Sequence, residues 1–241
     1  MPCWIGTSGW VYAHWRDVFY PVGLRESKWL AFYAQHFPTV ELNNSFYRLP
    51  SEQAFARWAT EAPAGFRFAV KASRYLTHMK KLRDPQEPLH RFPGRALLLG
   101  DRLGPILYQL PPNWKCNLER LRAFLACLPS DLTHVLEFRD PSWMCTEVFS
   151  LLEESGTSFC VTSLPGLTCP VRATSQVVYI RMHGAQTLYA SCYSDTELRW
   201  WAGQIAGALA GGHEVYVYFN NDAFGYAVQN ARRLTELIQN T

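Results

Sequence analysis

Eight short runs of β-branched and aromatic residues, each ending abruptly in polar residues, recur along this chain of 241 residues. They are WIGTS at Trp4–Ser8, TVELNN from Thr39, RFAVKAS from Arg67, GPILYQL from Gly104, HVLEFR from His134, SFCVTS from Ser158, VVYIRM from Val177 and EVYVYF from Glu214. Each reads as a strand. Between most of them, apolar residues return at helical spacing. Leu118, Leu121, Leu125 and Leu128 follow Asn117, a suitable N-cap. Leu198, Trp201, Ile205 and Leu209 follow a capping box of Ser194 and Glu197, and Val228, Ala231, Leu234 and Ile238 form the last stripe. Eight alternations predict an α/β chain folded as a (β/α)₈ TIM-type barrel, with an open doubly wound sheet as the alternative.

Two units look degenerate. Leu164 to Gln176, between strands six and seven, is rich in Pro and Thr and lacks helical periodicity, and the connection after strand three is broken by Pro85, Pro88 and Pro93. No linker, low-complexity tract or fixed-period repeat divides the chain, so residues 1–241 are expected to form a single domain.

Composition excludes the non-globular classes: 48% of residues are hydrophobic and 18% charged. Lys plus Arg exceed Asp plus Glu by 23 to 20, so a charge of +3 does not by itself announce a nucleic-acid partner. The seven cysteines include no Cys-x-x-Cys pair, which argues against a zinc ribbon or disulfide scaffold and for free thiols in a reducing compartment. MPCWIGTSGW lacks a basic region followed by an apolar stretch, and no run of about 18 apolar residues occurs anywhere. A cytoplasmic protein with no membrane span is expected.

The informative charges lie inside the strands. Side chains alternate faces with period two, and both faces of a barrel strand are ordinarily apolar. Yet Glu41 and Asn43, Lys71 and Ser73, Glu137 and Arg139, and Arg181 and His183 are same-face pairs at the C-terminal ends of their strands. Gln109 ends strand four, and Asn220, Asn221 and Asp222 end strand eight. Unpaired buried charge costs several kcal/mol, so these groups must pair with one another or face a wet cavity. In a barrel that end carries the active site.

Taken in order, GTSGWVYAHWRDVFYP, TVELNNSFYRLP, ILYQLPPNW, EFRDPSW, YIRMHG and YFNND resemble the domain-of-unknown-function 72 family, the YecE-like proteins, from about Ile5 to Leu237. The resemblance implies a TIM-type barrel akin to the apurinic endonuclease and xylose isomerase superfamily, and it implies no particular reaction. Two departures stand out. Ser163 occupies the end of strand six where the family has an Asp, and the shortened Met79–Arg102 region implies an incomplete helix three.

Three functions fit these residues. The first is a hydrolase or isomerase acting on a phosphorylated or other small anionic substrate. Arg139 and Arg181 would clamp the anion, Glu41 and Glu137 would act as base and acid, His183 would move a proton, and Lys71 would stabilise developing negative charge. Asn43, Gln109, Asn220, Asn221, Trp10 and Tyr47 would complete the substrate site. Should a divalent metal take part, Glu41, Glu137, His183 and Asp222 form its ligand inventory, although the neighbouring cations and Ser163 count against it. Asp222 serves equally well as the N-cap of the last helix. The second function is nucleic-acid binding by the basic loop residues Arg74, Lys80, Lys81 and Arg83 together with the loop aromatics. The third is a polar layer that only stabilises the barrel. Oligomeric state has no signature in the sequence.

Overall fold

A computed structural model describes residues 1–167 and 169–240. Eight parallel strands close in sequence order: β1 (Cys3–Thr7), β2 (Thr39–Leu42), β3 (Arg67–Lys71), β4 (Leu103–Gln109), β5 (His134–Glu137), β6 (Ser158–Ser163), β7 (Val177–Met182) and β8 (Glu214–Phe219). Closure comes from β1 against β8, in register from Cys3 opposite Val215 to Thr7 opposite Phe219. Gly6 lets β1 and β2 approach, because a Cβ there would meet the Thr39 carbonyl oxygen at 2.2 Å. This is the predicted (β/α)₈ barrel.

Helices α1 (Trp29–Tyr33), α2 (Asn44–Tyr47), α3 (Glu52–Glu61), α4 (Gln86–Ala96), α5 (Leu118–Leu125), α6 (Thr146–Glu154), α7 (Asp195–Ala210) and α8 (Tyr226–Gln239) accompany the strands. Asn117 caps α5 by accepting from the Arg120 amide at 2.8 Å, and the Ser194–Glu197 capping box opens α7. The connection after β6 carries no helix among the described residues, as its composition implies; Thr168 lies outside them. The unit after β3 differs from the expectation of an incomplete helix. It makes a π-turn at Tyr75–Met79 and then α4, with Pro88 in the first turn and Pro93 inside. Burial of Leu89, Phe92 and Ala96 holds α4 together despite the backbone bond lost at Pro93.

The barrel interior is layered by the two-residue period. Ala69, Leu107, Val135, Cys160 and Tyr179 belong to one apolar cluster with Tyr216, Tyr218 and Trp4. Two residues further along the same strands stand Lys71, Gln109, Glu137, Thr162 and Arg181. A separate, larger apolar cluster fills the shell between strands and helices.

Candidate active site

Arg181 is the centre of the polar layer and is 1% exposed. Its Nε and Nη2 donate to Oε2 and Oε1 of Glu41 at 3.0 and 2.7 Å, a bidentate pair. Nη1 donates to Glu137 Oε2 at 2.6 Å and to Gln109 Oε1 at 3.3 Å. Glu41 also accepts from Ser8 Oγ at 2.8 Å and from the Tyr179 hydroxyl at 2.6 Å. Arg139, just beyond β5, donates its Nε to Glu137 Oε1 and sets Nη2 2.9 Å from His183 Nε2. One connected network therefore spans β2, β4, β5 and β7.

These contacts decide protonation. Burial pushes Glu41 up, but the charge and hydrogen bonds of Arg181, with the Tyr179 hydroxyl and the charge of Lys71, together leave the carboxyl below its usual range. Glu137 is likewise pushed up by burial and drawn well below that range by Arg139 and Arg181. For His183, burial and the charge of Arg181 act together and lower it to about 3. Arg139 Nη2 and Arg181 Nη1 lie 2.9 and 3.4 Å from Nε2, and Asn220 Nδ2 lies 3.1 Å from Nδ1, so donors surround the neutral ring on both sides. Glu41 and Glu137 are thus held as ionised counterions and His183 as a neutral acceptor.

The expected anion clamp and carboxylate acid–base pair need revising on this geometry. Arg181 spends its donors on carboxylates, and Glu41, Glu137 and His183 are each 0% exposed. The conditional metal set is not assembled: the Arg181 guanidinium occupies the space between the two glutamates, and Asp222 lies apart against His14 and Trp15. Among the described residues, no group of three or more His, Cys, Asp or Glu is arranged around an ion position.

Above the layer opens a cavity of about 450 Å³ lined by Tyr12, His14, Asn43, Tyr47, Lys71, Gln109, Tyr189, Asn220, Asp222 and Ala223. Lys71 is 8% exposed, and its Nζ sits 4.1 Å from the centre of the Phe46 ring. Its Nζ makes no hydrogen bond or ion pair with any described residue. Burial, with the charge of Arg181, lowers it to about 7. Asp222 moves the other way. Burial raises it to about 6, although Trp15 Nε1 donates to its Oδ1 at 2.7 Å and His14 Nε2 lies 2.9 Å from Oδ2.

The other expected residues divide. Asn43, Tyr47, Gln109 and Asn220 line the cavity, and Asn43 Oδ1 is buried without a partner. Trp10 instead packs edge-on against Trp58 at 5.6 Å and borders a neighbouring cavity. Asn221 is buried and bonds the Ser191 carbonyl and Asn230, fastening a loop to α8. Asp222 does not cap α8, where Gly225 holds that position; it precedes the short 3-10 turn Ala223–Gly225 without a capping bond from its side chain. Ser163 Oγ accepts from the Tyr193 hydroxyl, which in turn accepts from the Gly184 amide, so it secures the β7 exit. His14, Tyr179 and Tyr189 were not foreseen. Tyr179 precedes Arg181 by two and could have been found by period-two counting, whereas His14 and Tyr189 arrive from loops without a sequence signal.

These features define a single-domain TIM-type barrel with a buried ionic layer beneath a polar cavity at its C-terminal mouth. The chain belongs to the family described as protein of unknown function DUF72, which it matches over residues 4–241. It is 27% identical to the UPF0759 protein YunF of Bacillus subtilis, over 98% of this chain and 94% of that protein. The UPF0759 protein YecE of Escherichia coli is 32% identical over 46% of this chain and 41% of its own length. A solved DUF72 family protein from Thermotoga maritima superposes with a TM-score of 0.90 at 29% identity, covering 99% of this chain and 100% of that one. A methyltransferase from Methanosarcina mazei shares the fold alone, at 10% identity and a TM-score of 0.55, over 99% of this chain and 93% of that one. No helix among the described residues is long and apolar enough to cross a membrane.

Proposed function

We propose that this barrel is an enzyme that binds a small anionic substrate in the mouth cavity and moves protons between that substrate, Lys71 and Asp222, as a hydrolase or isomerase would. The observation that carries the reading is the meeting of two oppositely shifted groups on one cavity. A lysine lowered to about 7 and an aspartate raised to about 6 can each give or take a proton near neutrality. The layer below supports the anionic part. Two arginines balance two glutamates, so Lys71 is the charge left over. Asn43, Gln109 and Asn220 add amides to hold polar substituents. The acid–base work passes from Glu41, Glu137 and His183 to the cavity pair, and the clamp from Arg181 to Lys71. A divalent metal has no role in this scheme. Seven free thiols support a cytoplasmic setting.

Calorimetric titration with sulfate, in two buffers of different ionisation heat near neutral pH, tests this. Sulfate carries no proton there, so an anion that draws Lys71 into its ammonium form must take up a proton from buffer. Buffer-dependent heat that vanishes in Lys71→Met is the expected result. Buffer-independent heat, or equal binding by the variant, would reject the assignment.

Nucleic-acid binding is the second reading, favoured by exposed rings around the mouth: Tyr47 and Phe224 are each 75% exposed and Tyr189 43%. Rings so placed stack on unpaired bases. Anisotropy of labelled single-stranded DNA, abasic duplex and RNA at low and moderate salt decides it, with Tyr47→Ala/Tyr189→Ala alongside. Salt-sensitive binding lost in that variant supports this reading, and no binding at low salt removes it.

A further inference from the structure

We propose that Lys71 is a nucleophile, and that the substrate is a small anion bearing an aldehyde or ketone group whose carbonyl carbon Lys71 captures as an imine. The inference deepens the acid–base reading above and rests on it.

A nearly buried lysine ordinarily has a carboxylate partner. The carboxylates nearest in the layer, Glu41 and Glu137, are already held by Arg181 and Arg139. Among the described residues the amine forms no ion pair; it lies over the Phe46 ring, and Lys71 lines the cavity. Lys80 and Lys115 contrast with it, each lying within 4 Å of an aspartate, Asp84 and Asp140. A desolvated amine beside other cations keeps its lone pair at neutral pH, which is the condition for imine formation. The cavity also holds an orphaned acceptor, the buried Asn43 Oδ1, which a hydroxyl on the reacting carbon would satisfy.

The step balances without any co-reactant. The lone pair on Nζ forms the N–C bond as the C=O π pair moves to oxygen. One proton passes from nitrogen to that oxygen, giving a carbinolamine. Asp222 in its acid form then protonates the hydroxyl, the C–O bond breaks and water leaves. The resulting C=N bond carries one hydrogen and a positive charge, which faces the substrate's own anionic group. Asp222 ends as a carboxylate.

The test is reductive trapping on the intact chain. The protein is incubated with sodium cyanoborohydride and either pyruvate, a 2-oxo acid, or glycolaldehyde phosphate, an aldehyde phosphate, across neutral to alkaline pH. Peptide mapping then compares the five lysines, Lys28, Lys71, Lys80, Lys81 and Lys115. At about pH 7.5 an amine titrating near 7 is mostly free base, whereas an ordinary lysine is about one part in a thousand free base. The expected outcome is modification concentrated on Lys71, half-maximal near pH 7, by at least one probe; the more reactive probe identifies the anion type. Labelling of Lys71 no faster than of Lys28 and Lys81 overturns the proposal. A parallel pH series with acetic anhydride separates the two readings. Acetylation of Lys71 with a midpoint near 7 but no trapped adduct removes the imine and leaves the acid–base reading intact. Acetylation that follows an ordinary lysine removes both. Each readout comes from the wild-type protein and does not depend on a variant folding.

Discussion

Arg181 reaches across the barrel from β7 and takes both carboxylate oxygens of Glu41 on β2, at 3.0 and 2.7 Å. Both residues are essentially inaccessible to solvent, and each carries the charge that the other needs. Removing either member leaves its partner buried and uncompensated, which is far more costly than losing a surface pair.

Arg181→Met should accordingly destabilise the fold by about 3–5 kcal/mol, measured by urea unfolding. Arg181→Lys should recover little of that, because an ammonium cannot reproduce the three-way grip on Glu41 Oε1, Glu41 Oε2 and Glu137 Oε2. A loss under about 1 kcal/mol for Arg181→Met would mean that the layer contributes nothing to stability.

Lys71 has a signature on the alkaline side. Folded, it releases its proton near 7; unfolded, near 10.5. Between those values the unfolded chain binds the extra proton, so Lys71 makes stability rise with pH from about 7, until the thiols of Cys3, Cys116, Cys160 and Cys169, raised above 9.0 by burial, and then the buried tyrosines oppose it. Lys71→Met should flatten that rise while keeping the barrel folded, as a thermal-melt series in steps across the window would reveal.

The acid side follows His183. Its folded value of about 3 lies below 6.5, so stability should decline as pH falls through 6.5 towards 3. Glu41 and Glu137, also lowered, add to the loss only below 4.5. Asp222, raised to about 6, opposes it, and His78, lowered to about 4, reinforces it. Comparing His183→Asn with wild type between pH 6.5 and 4.5 should therefore show a reduced slope; an unchanged slope would mean the imidazole takes up its proton in the fold.

Asp222 itself should titrate near 6 when its carboxyl carbon is followed by NMR, and the midpoint should rise further in His14→Ala, which removes the opposing imidazole. A wild-type midpoint below 4.5 would remove it as a proton donor in the neutral range.

Gly184 is a structural prediction. It turns the chain out of β7 at φ +109°, and a Cβ would meet the Thr187 carbonyl oxygen at 2.4 Å. Gly184→Ala should cost about 1–3 kcal/mol and disturb the loop that presents Tyr189. Proteolytic sensitivity of that loop, together with the melting temperature, measures it.

Period-two counting made much of this mouth legible. Lys71, Gln109, Glu137 and Arg181 follow apolar interior residues by two, so the sequence alone carries the face they share. What counting along a strand does not carry is partner choice around the barrel. Whether Arg181 meets a substrate or two glutamates depends on three strands that are not neighbours in the sheet. Trp10 illustrates the same limit for loops: its aromatic character was legible, but its direction, set by packing on Trp58, was not. The proline-broken stretch after β3 is irregular, as its composition implies, with a π-turn before α4; the completeness of α4 was not legible, because burial of Leu89, Phe92 and Ala96 outweighs local propensity. Lys71 was readable as a cation; its loss of charge near neutrality arises only from desolvation and the crowd of arginines.

β2, β5 and β7 are not bonded to one another in the sheet, yet the ionic layer ties all three across the lumen. It acts as a transverse brace. Widening the mouth by sliding or splaying strands would break charged hydrogen bonds in a dry interior, whereas moving Tyr189 or Phe224, both on left-handed loop backbone, breaks none of them. The pore rim is therefore the compliant part and the floor the rigid one. Residues of the rim can be exchanged to admit different molecules without re-solving how the barrel keeps four charges out of water.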